Sequence, residues 1–145
     1  MTASVKQIGS HGTIIQPKKA FQKKDPALYR FMNESGRTLV KLPGEIAGEQ
    51  FVVQNCTNCI IYLLDFSNTV YIDDCTACQI YVGPVECSVF IRDCYRSKCV
   101  IACGQFRSRQ CEDIKILLMC QSQPIIESSL RMGFGCFRAA YPELP

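Results

Sequence analysis

Asn55-Cys56-Thr57-Asn58-Cys59-Ile60-Ile61-Tyr62-Leu63 and Asp74-Cys75-Thr76-Ala77-Cys78-Gln79-Ile80-Tyr81-Val82 are two copies of one unit. A polar residue and a cysteine open it, a few mostly polar residues follow, and a β-branched and aromatic run closes it as a strand. The opening pair recurs at Asp93-Cys94 and Gln110-Cys111, so successive units start 19, 19 and 17 residues apart. Strands follow these at Val100-Ile101-Ala102 and Ile114 to Leu118, and further short strands lie between at Val70-Tyr71-Ile72, Val89-Phe90-Ile91 and Gln105 to Arg109. The strand period is about half the repeat, which leaves no space for helices of ordinary length. A unit of short strands joined by polar corners cannot bury its apolar face alone, but it can stack on copies of itself. The expected fold is therefore all-β, a parallel β-helix (β-solenoid) of about four coils over residues 51–130 and roughly 20 Å tall at about 4.8 Å per rung. A small sandwich with the same strand count is the alternative, and the regular spacing argues against it.

Outside the repeat, residues 1–37 read as a flexible basic arm with a short helix near 26–35, started by Asp25-Pro26 and ended near Gly36. Residues 38–145 read as the β-helix domain. Residues 1–50 hold eight Lys/Arg against four Asp/Glu, whereas residues 51–145 hold eight against nine. The basic excess thus lies in the arm, where Lys18-Lys19 and Lys23-Lys24 suit a solvated segment, and the slightly acidic body disfavours nucleic acid as a partner. The 145-residue chain is 48% hydrophobic and 20% charged, a globular composition. Its longest apolar run, Cys59 to Leu64, is far shorter than the roughly 20 residues that cross a bilayer, and Met1 to Lys6 does not resemble a signal peptide, so a cytoplasmic protein is expected.

Eleven cysteines call for an explanation. Cys56-x2-Cys59 and Cys75-x2-Cys78, separated by 15 residues, satisfy the spacing of a four-cysteine zinc ribbon. Yet the residues after them, Ile60 and Gln79, are not the glycine that a tight metal knuckle favours, and the repeat runs on through Cys94 and Cys111, where the close partner has moved to Cys99 or vanished. Stacking of a small inward side chain once per coil covers more of the cysteines than one zinc ion does, so no metal is assigned. The one histidine, His11, lies in the arm, which leaves no Cys-His pair for nucleophilic catalysis. No P-loop motif occurs.

Strand alternation puts Gln105, Arg107 and Arg109 on one face and Phe106 and Ser108 on the other. Phe106 must face inward, so the three long polar side chains project together, with Arg92, Arg96 and Lys98 available from the preceding coil. Glu127 lies 20 residues after Arg107, about one coil, and is expected to stack within reach of it. A solvated basic face with a cross-rung ion pair has the same pattern. So does an arginine aimed by a carboxylate on a stiff scaffold, the arrangement that assists phosphoryl transfer in trans.

Gly83-Pro84-Val85, Ala102-Cys103-Gly104-Gln105-Phe106-Arg107-Ser108-Arg109, Gln123-Pro124-Ile125-Ile126-Glu127-Ser128-Ser129, Phe134-Gly135-Cys136-Phe137 and Tyr141-Pro142-Glu143-Leu144 together resemble the tubulin-binding cofactor C domain family. The resemblance covers roughly Asp25 to Leu144 and implies a right-handed parallel β-helix whose C-terminal cap is expected to be incomplete in this chain. It also implies a GTPase-activating protein for an ARF-like small GTPase, not an enzyme with its own active site. GTP and Mg2+ would belong to the partner, and the domain would need no cofactor. Position by position, Arg107 matches the family's arginine finger, Gln105 the second glutamine of its Gln-Gln-x-Arg motif, and Glu127 the acid that accompanies and orients the finger. Arg109 and Arg92 are expected to add binding contacts. Gly104 stands where the first glutamine is expected, and the Met-Gly-Cys start that carries dual acylation is missing, so membrane anchoring is not implied. The other readings are a non-catalytic effector of a GTP-bound ARF-like GTPase and a tubulin-folding cofactor. The place of action implied is the cytoplasm, at the cytoskeleton or ciliary base.

Overall fold

The computed structural model describes residues 24–137. Every strand pairing among them is parallel. One ladder contains β1 (Arg30–Met32), β3 (Phe51–Gln54), β5 (Val70–Asp73) and β7 (Val85–Arg92). It continues through the second half of the long strand β8 (Tyr95–Arg109) and ends at β10 (Ile125–Glu127). The second ladder runs β2 (Thr38–Lys41), β4 (Ile60–Leu63), β6 (Gln79–Val82), the first half of β8, β9 (Glu112–Cys120) and β11 (Leu130–Cys136). The result is a β-solenoid of about 6 turns.

The expected fold is thus present, and it is taller than the sequence repeat indicates. Coils lacking the cysteine signature are added at both ends: Arg30, Phe31 and Met32 pair with Val52, Val53 and Gln54, and β11 pairs with β9. The helix expected near 26–35 is a single 3-10 turn, Pro26–Tyr29, capped by Asp25, whose carboxylate accepts from the Ala27 N–H. From Arg30 the chain extends, because a segment this short gains little as an isolated helix, whereas Phe31 as a strand residue packs edge-on against buried Phe51 at 5.2 Å. The first coil therefore uses residues 30–37, which the sequence assigns to the arm; the rest of the arm, residues 1–23, lies outside the described residues. The two runs Val100 to Ala102 and Gln105 to Arg109 are parts of one bent strand, β8.

The corners explain the repeat. Between the two ladders each coil places two residues, three positions apart, in the left-handed region: Asn55 and Asn58, Asp74 and Ala77, Asp93 and Arg96, Gln110 and Asp113, Ser128 and Arg131. Asn and Asp tolerate that backbone better than most side chains. The residue after the first left-handed one turns inward, and there Cys56, Cys75, Cys94 and Cys111 stack, all buried. Their thiols donate to backbone carbonyls: Cys94 Sγ to Ile72 O at 3.4 Å and Arg92 O at 3.2 Å, Cys111 Sγ to Ile91 O and Arg109 O at 3.4 Å each. In the next coil Ser129 does the same work, accepting from the Cys111 N–H at 3.3 Å and donating to Glu127 O at 2.9 Å.

The second cysteine of each pair, Cys59 or Cys78, is the next inward position. In the coil whose corner opens at Asp93 that position is filled by Ser97, which accepts from the Cys78 N–H at 3.1 Å, while Cys99 pairs with Ile80 further along the strand. The spacing that suits a zinc ribbon is therefore the spacing between two inward positions of a corner. Among the described residues no group of three or more His, Cys, Asp or Glu side chains is placed to hold a metal ion. The rest of the interior is mainly apolar, with Phe51, Val70, Val89 and Phe106 in register along the first ladder and Ile61 and Ile80 paired in the second.

An arginine-lined cleft on the first ladder as the candidate functional site

The second half of β8 alternates as its sequence dictates. Phe106 and Ser108 are buried, Gln105 is half-buried, and Arg107 and Arg109 are exposed. The neighbours above and below follow from the register. Phe90 lies beside Arg107 on one side and Ile125 on the other; Arg92 and Glu127 flank Arg109 in the same way; Gln105 is opposite Ser88. Phe90, Arg92, Arg107, Ser108, Arg109, Ile125 and Glu127 line one cleft of about 190 Å3.

This register corrects the sequence expectation for Glu127. The coil joining β8 to β10 advances 18 residues, so Ile125, not Glu127, is the partner of Arg107, and Glu127 is the partner of Arg109. Glu127 faces the finger position only diagonally, across a shared cleft. Among the described residues neither Arg107, Arg109 nor Glu127 forms an ion pair. Two uncommitted guanidinium groups and one carboxylate thus share the cleft.

Arg92 differs from them. Its Nε donates to Asp73 Oδ1 at 2.8 Å and its Nη2 to Asp73 Oδ2 at 2.9 Å, a two-pronged pair one rung apart. Its guanidinium also lies over the Tyr71 ring, 5.3 Å from the centroid, and Tyr71 stacks on Phe90 at 5.0 Å. Hydrogen bonding to Asp73 raises the Arg92 pKa further above its ordinary value. Arg92 is therefore held in a fixed direction as a wall of the cleft. The sequence does not single out Asp73, Tyr71 and Phe90 as parts of this site, although the 19-residue offset from Asp73 to Arg92, one coil, is a usable signal. Arg96 and Lys98 do not join this face: Arg96 is at the corner and Lys98 pairs with Gln79 and Lys115 in the other ladder.

Gly104 is fixed by close packing. A Cβ at this position would lie 2.8 Å from Glu86 O and 2.8 Å from Cys87 O, where the β7 to β8 register shifts between Val85 and Ser88. Both obstacles are backbone, so no side chain enters here without moving a strand.

Compared with known proteins, residues 48–145 match the family model described as tubulin binding cofactor C. The chain is 60% identical to Protein XRP2 of Gallus gallus over 122 residues, covering 84% of this chain and 34% of that protein. It is 58% identical to Protein XRP2 of Homo sapiens over 123 residues, 85% of this chain and 35% of that one, and 57% identical to Protein XRP2 of Danio rerio over the same number, 85% and 33%. The chain spans about a third of the length of these relatives. No helix among the described residues is long and apolar enough to cross a membrane. With the family model matching well over half of its length, on a stacked parallel fold, the chain belongs to the tubulin binding cofactor C family.

Proposed function

We propose that this domain accelerates GTP hydrolysis by an ARF-like small GTPase, with Arg107 inserted in trans into the partner's nucleotide site. The observation that carries this reading is an exposed, unpaired Arg107 whose neighbours in its own strand, Phe106 and Ser108, are locked in the core. In phosphoryl transfer, charge spreads over the γ-phosphoryl and leaving oxygens, and catalysis is mostly positioning plus charge stabilisation. A guanidinium on a stiff rung meets that need without reorganising the scaffold. Gln105, two residues earlier on the same face, contacts the nucleotide or the partner's switch region. Glu127 and Arg109, neighbours in register that both line the cleft, set the field in which Arg107 swings toward the partner. GTP and Mg2+ are the partner's, and the domain has no reaction of its own. Such fingers contribute about 10³ to 10⁵ in rate.

The test is single-turnover GTP hydrolysis by a panel of ARF-like GTPases with the domain in excess, alongside binding to the GTP- and GDP-loaded forms. Acceleration of at least one member is expected. A second reading has its own support in Gly104: with the first glutamine position closed by backbone, the same face acts as a non-catalytic effector of the GTP form. It predicts nucleotide-dependent binding with an unchanged hydrolysis rate. A tubulin-folding role, suggested by the family's description, predicts acceleration only when tubulin and companion cofactors are added.

A further inference from the structure

Cys103 and Cys120 are Cα partners across β8 and β9, and their sulfurs lie 4.0 Å apart. Most cysteine thiols of the corner columns are directed at backbone carbonyls; these two face each other. Cys120 Sγ also reaches Gly104 O at 3.5 Å, an oxygen that Ser122 Oγ contacts at 3.1 Å. Cys103 is buried and Cys120 is part-exposed. Adjacent strands are about 4.8 Å apart, within the roughly 4.4 to 6.8 Å that disulfide-bonded Cα atoms span.

We propose that Cys103 and Cys120 are a dithiol oxidation site, closed to a disulfide by peroxide, with Cys103 in the middle of the strand that carries Gln105 and Arg107. The accessible partner reacts first: the Cys120 thiolate attacks a peroxide oxygen, an S–O bond forms, the O–O bond breaks, and hydroxide leaves. Cys103 then attacks the Cys120 sulfur, the S–S bond forms, the S–O bond breaks, and the departing hydroxide takes the Cys103 proton as water. Two thiols are oxidised by two electrons and hydrogen peroxide is reduced to two waters. Burial pushes the Cys103 thiol up to about 12, which keeps it protonated and assigns the first step to Cys120. The sulfurs are already in contact, so the second step is intramolecular at close range.

Treatment of the chain with a small excess of hydrogen peroxide, then trypsin without reductant and mass spectrometry, tests this. Cleavage gives peptide 99–107, holding Cys99 and Cys103, and peptide 116–131, holding Cys120. The expected product is these two peptides joined and lighter by two hydrogens, with fragmentation placing the link on Cys103, and with dithiothreitol separating them. Cys103→Ser and Cys120→Ser abolish the product, and Cys99→Ser keeps it. Serine already fills inward positions at Ser97 and Ser129, and the fragmentation pattern of the unsubstituted chain gives the answer independently of any variant. Oxidation of exposed Cys87 and Cys136 without this link, or a link placed on another pair, overturns the proposal.

Discussion

Arg107 and Gly104 sit three residues apart on one strand and are constrained in opposite ways. Arg107 is free at its tip and fixed at its root, since the side chains before and after it are buried. Gly104 has no space even for a methyl group, because two carbonyl oxygens stand 2.8 Å from where its Cβ would be. Replacing Gly104 with the glutamine that the family motif contains is therefore not a restoration in this chain. Gly104→Gln is expected to lose about 1–3 kcal/mol of stability, since the bulge at Glu86 and Cys87 must move, and to leave stimulated GTP hydrolysis no faster than in the unsubstituted chain. Urea unfolding and single-turnover hydrolysis check the two parts; a stable and faster variant contradicts the packing argument. Alternation alone made Arg107's outward direction legible in the sequence. The crowding at Gly104 was not, because it arises from a register shift in the preceding coil.

At the scale of the element, the corner is the unit that the sequence displays most clearly. A polar residue that tolerates the left-handed backbone, an inward cysteine and a second left-handed residue recur because each coil must turn twice in four residues. The signal fades where the same geometry is met by other residues, as with Ser129 in the sixth corner and Asn33 with Gly36 in the first. For that reason the end coils and the strand at Phe31 were hidden from the repeat. Register was hidden in a similar way: an 18-residue coil read as 20 moves a partner by two positions, which is how Glu127 passes from Arg107 to Arg109.

The turn at Leu42-Pro43-Gly44 follows the same logic of backbone need. There the buried Asp65 carboxylate accepts from the N–H groups of Gly44, Ile46 and Ala47 at 3.0, 2.9 and 2.7 Å. Burial alone would raise its pKa, but the N–H bonds outweigh burial and hold it below the ordinary 3.8. A lowered folded-state pKa means that the carboxylate's contribution is present above the unfolded value and is lost as pH falls through the folded one. Asp65→Asn is expected to cost about 1–3 kcal/mol at neutral pH, with the gap to the unsubstituted chain narrowing as pH falls below the ordinary carboxyl value of 3.8. Urea unfolding at neutral and acid pH measures it, and an equal gap at both contradicts the assignment.

For the whole molecule, a stack of about 6 turns is a rod whose side chains are indexed by coil, so residues roughly one repeat apart in sequence become neighbours in space. The Asp73–Arg92 pair, the Tyr71–Phe90 stack and the Arg109–Glu127 partnership all arise in this way. Together they build a rigid cleft from which only Arg107 and Arg109 project as uncommitted cations. On the proposed mechanism the chemistry falls to Arg107 and not to Arg109, whose strand partners are Arg92 and Glu127. The most direct measurement is single-turnover GTP hydrolysis by the responding ARF-like GTPase with Arg107→Ala, Arg107→Lys and Arg109→Ala compared side by side. Arg107→Ala should bind within a few-fold of the unsubstituted domain yet lose the acceleration of about 10³ to 10⁵; Lys should fail to restore it for want of the planar fork, and Arg109→Ala should keep most of it. Full acceleration by Arg107→Ala would contradict the account.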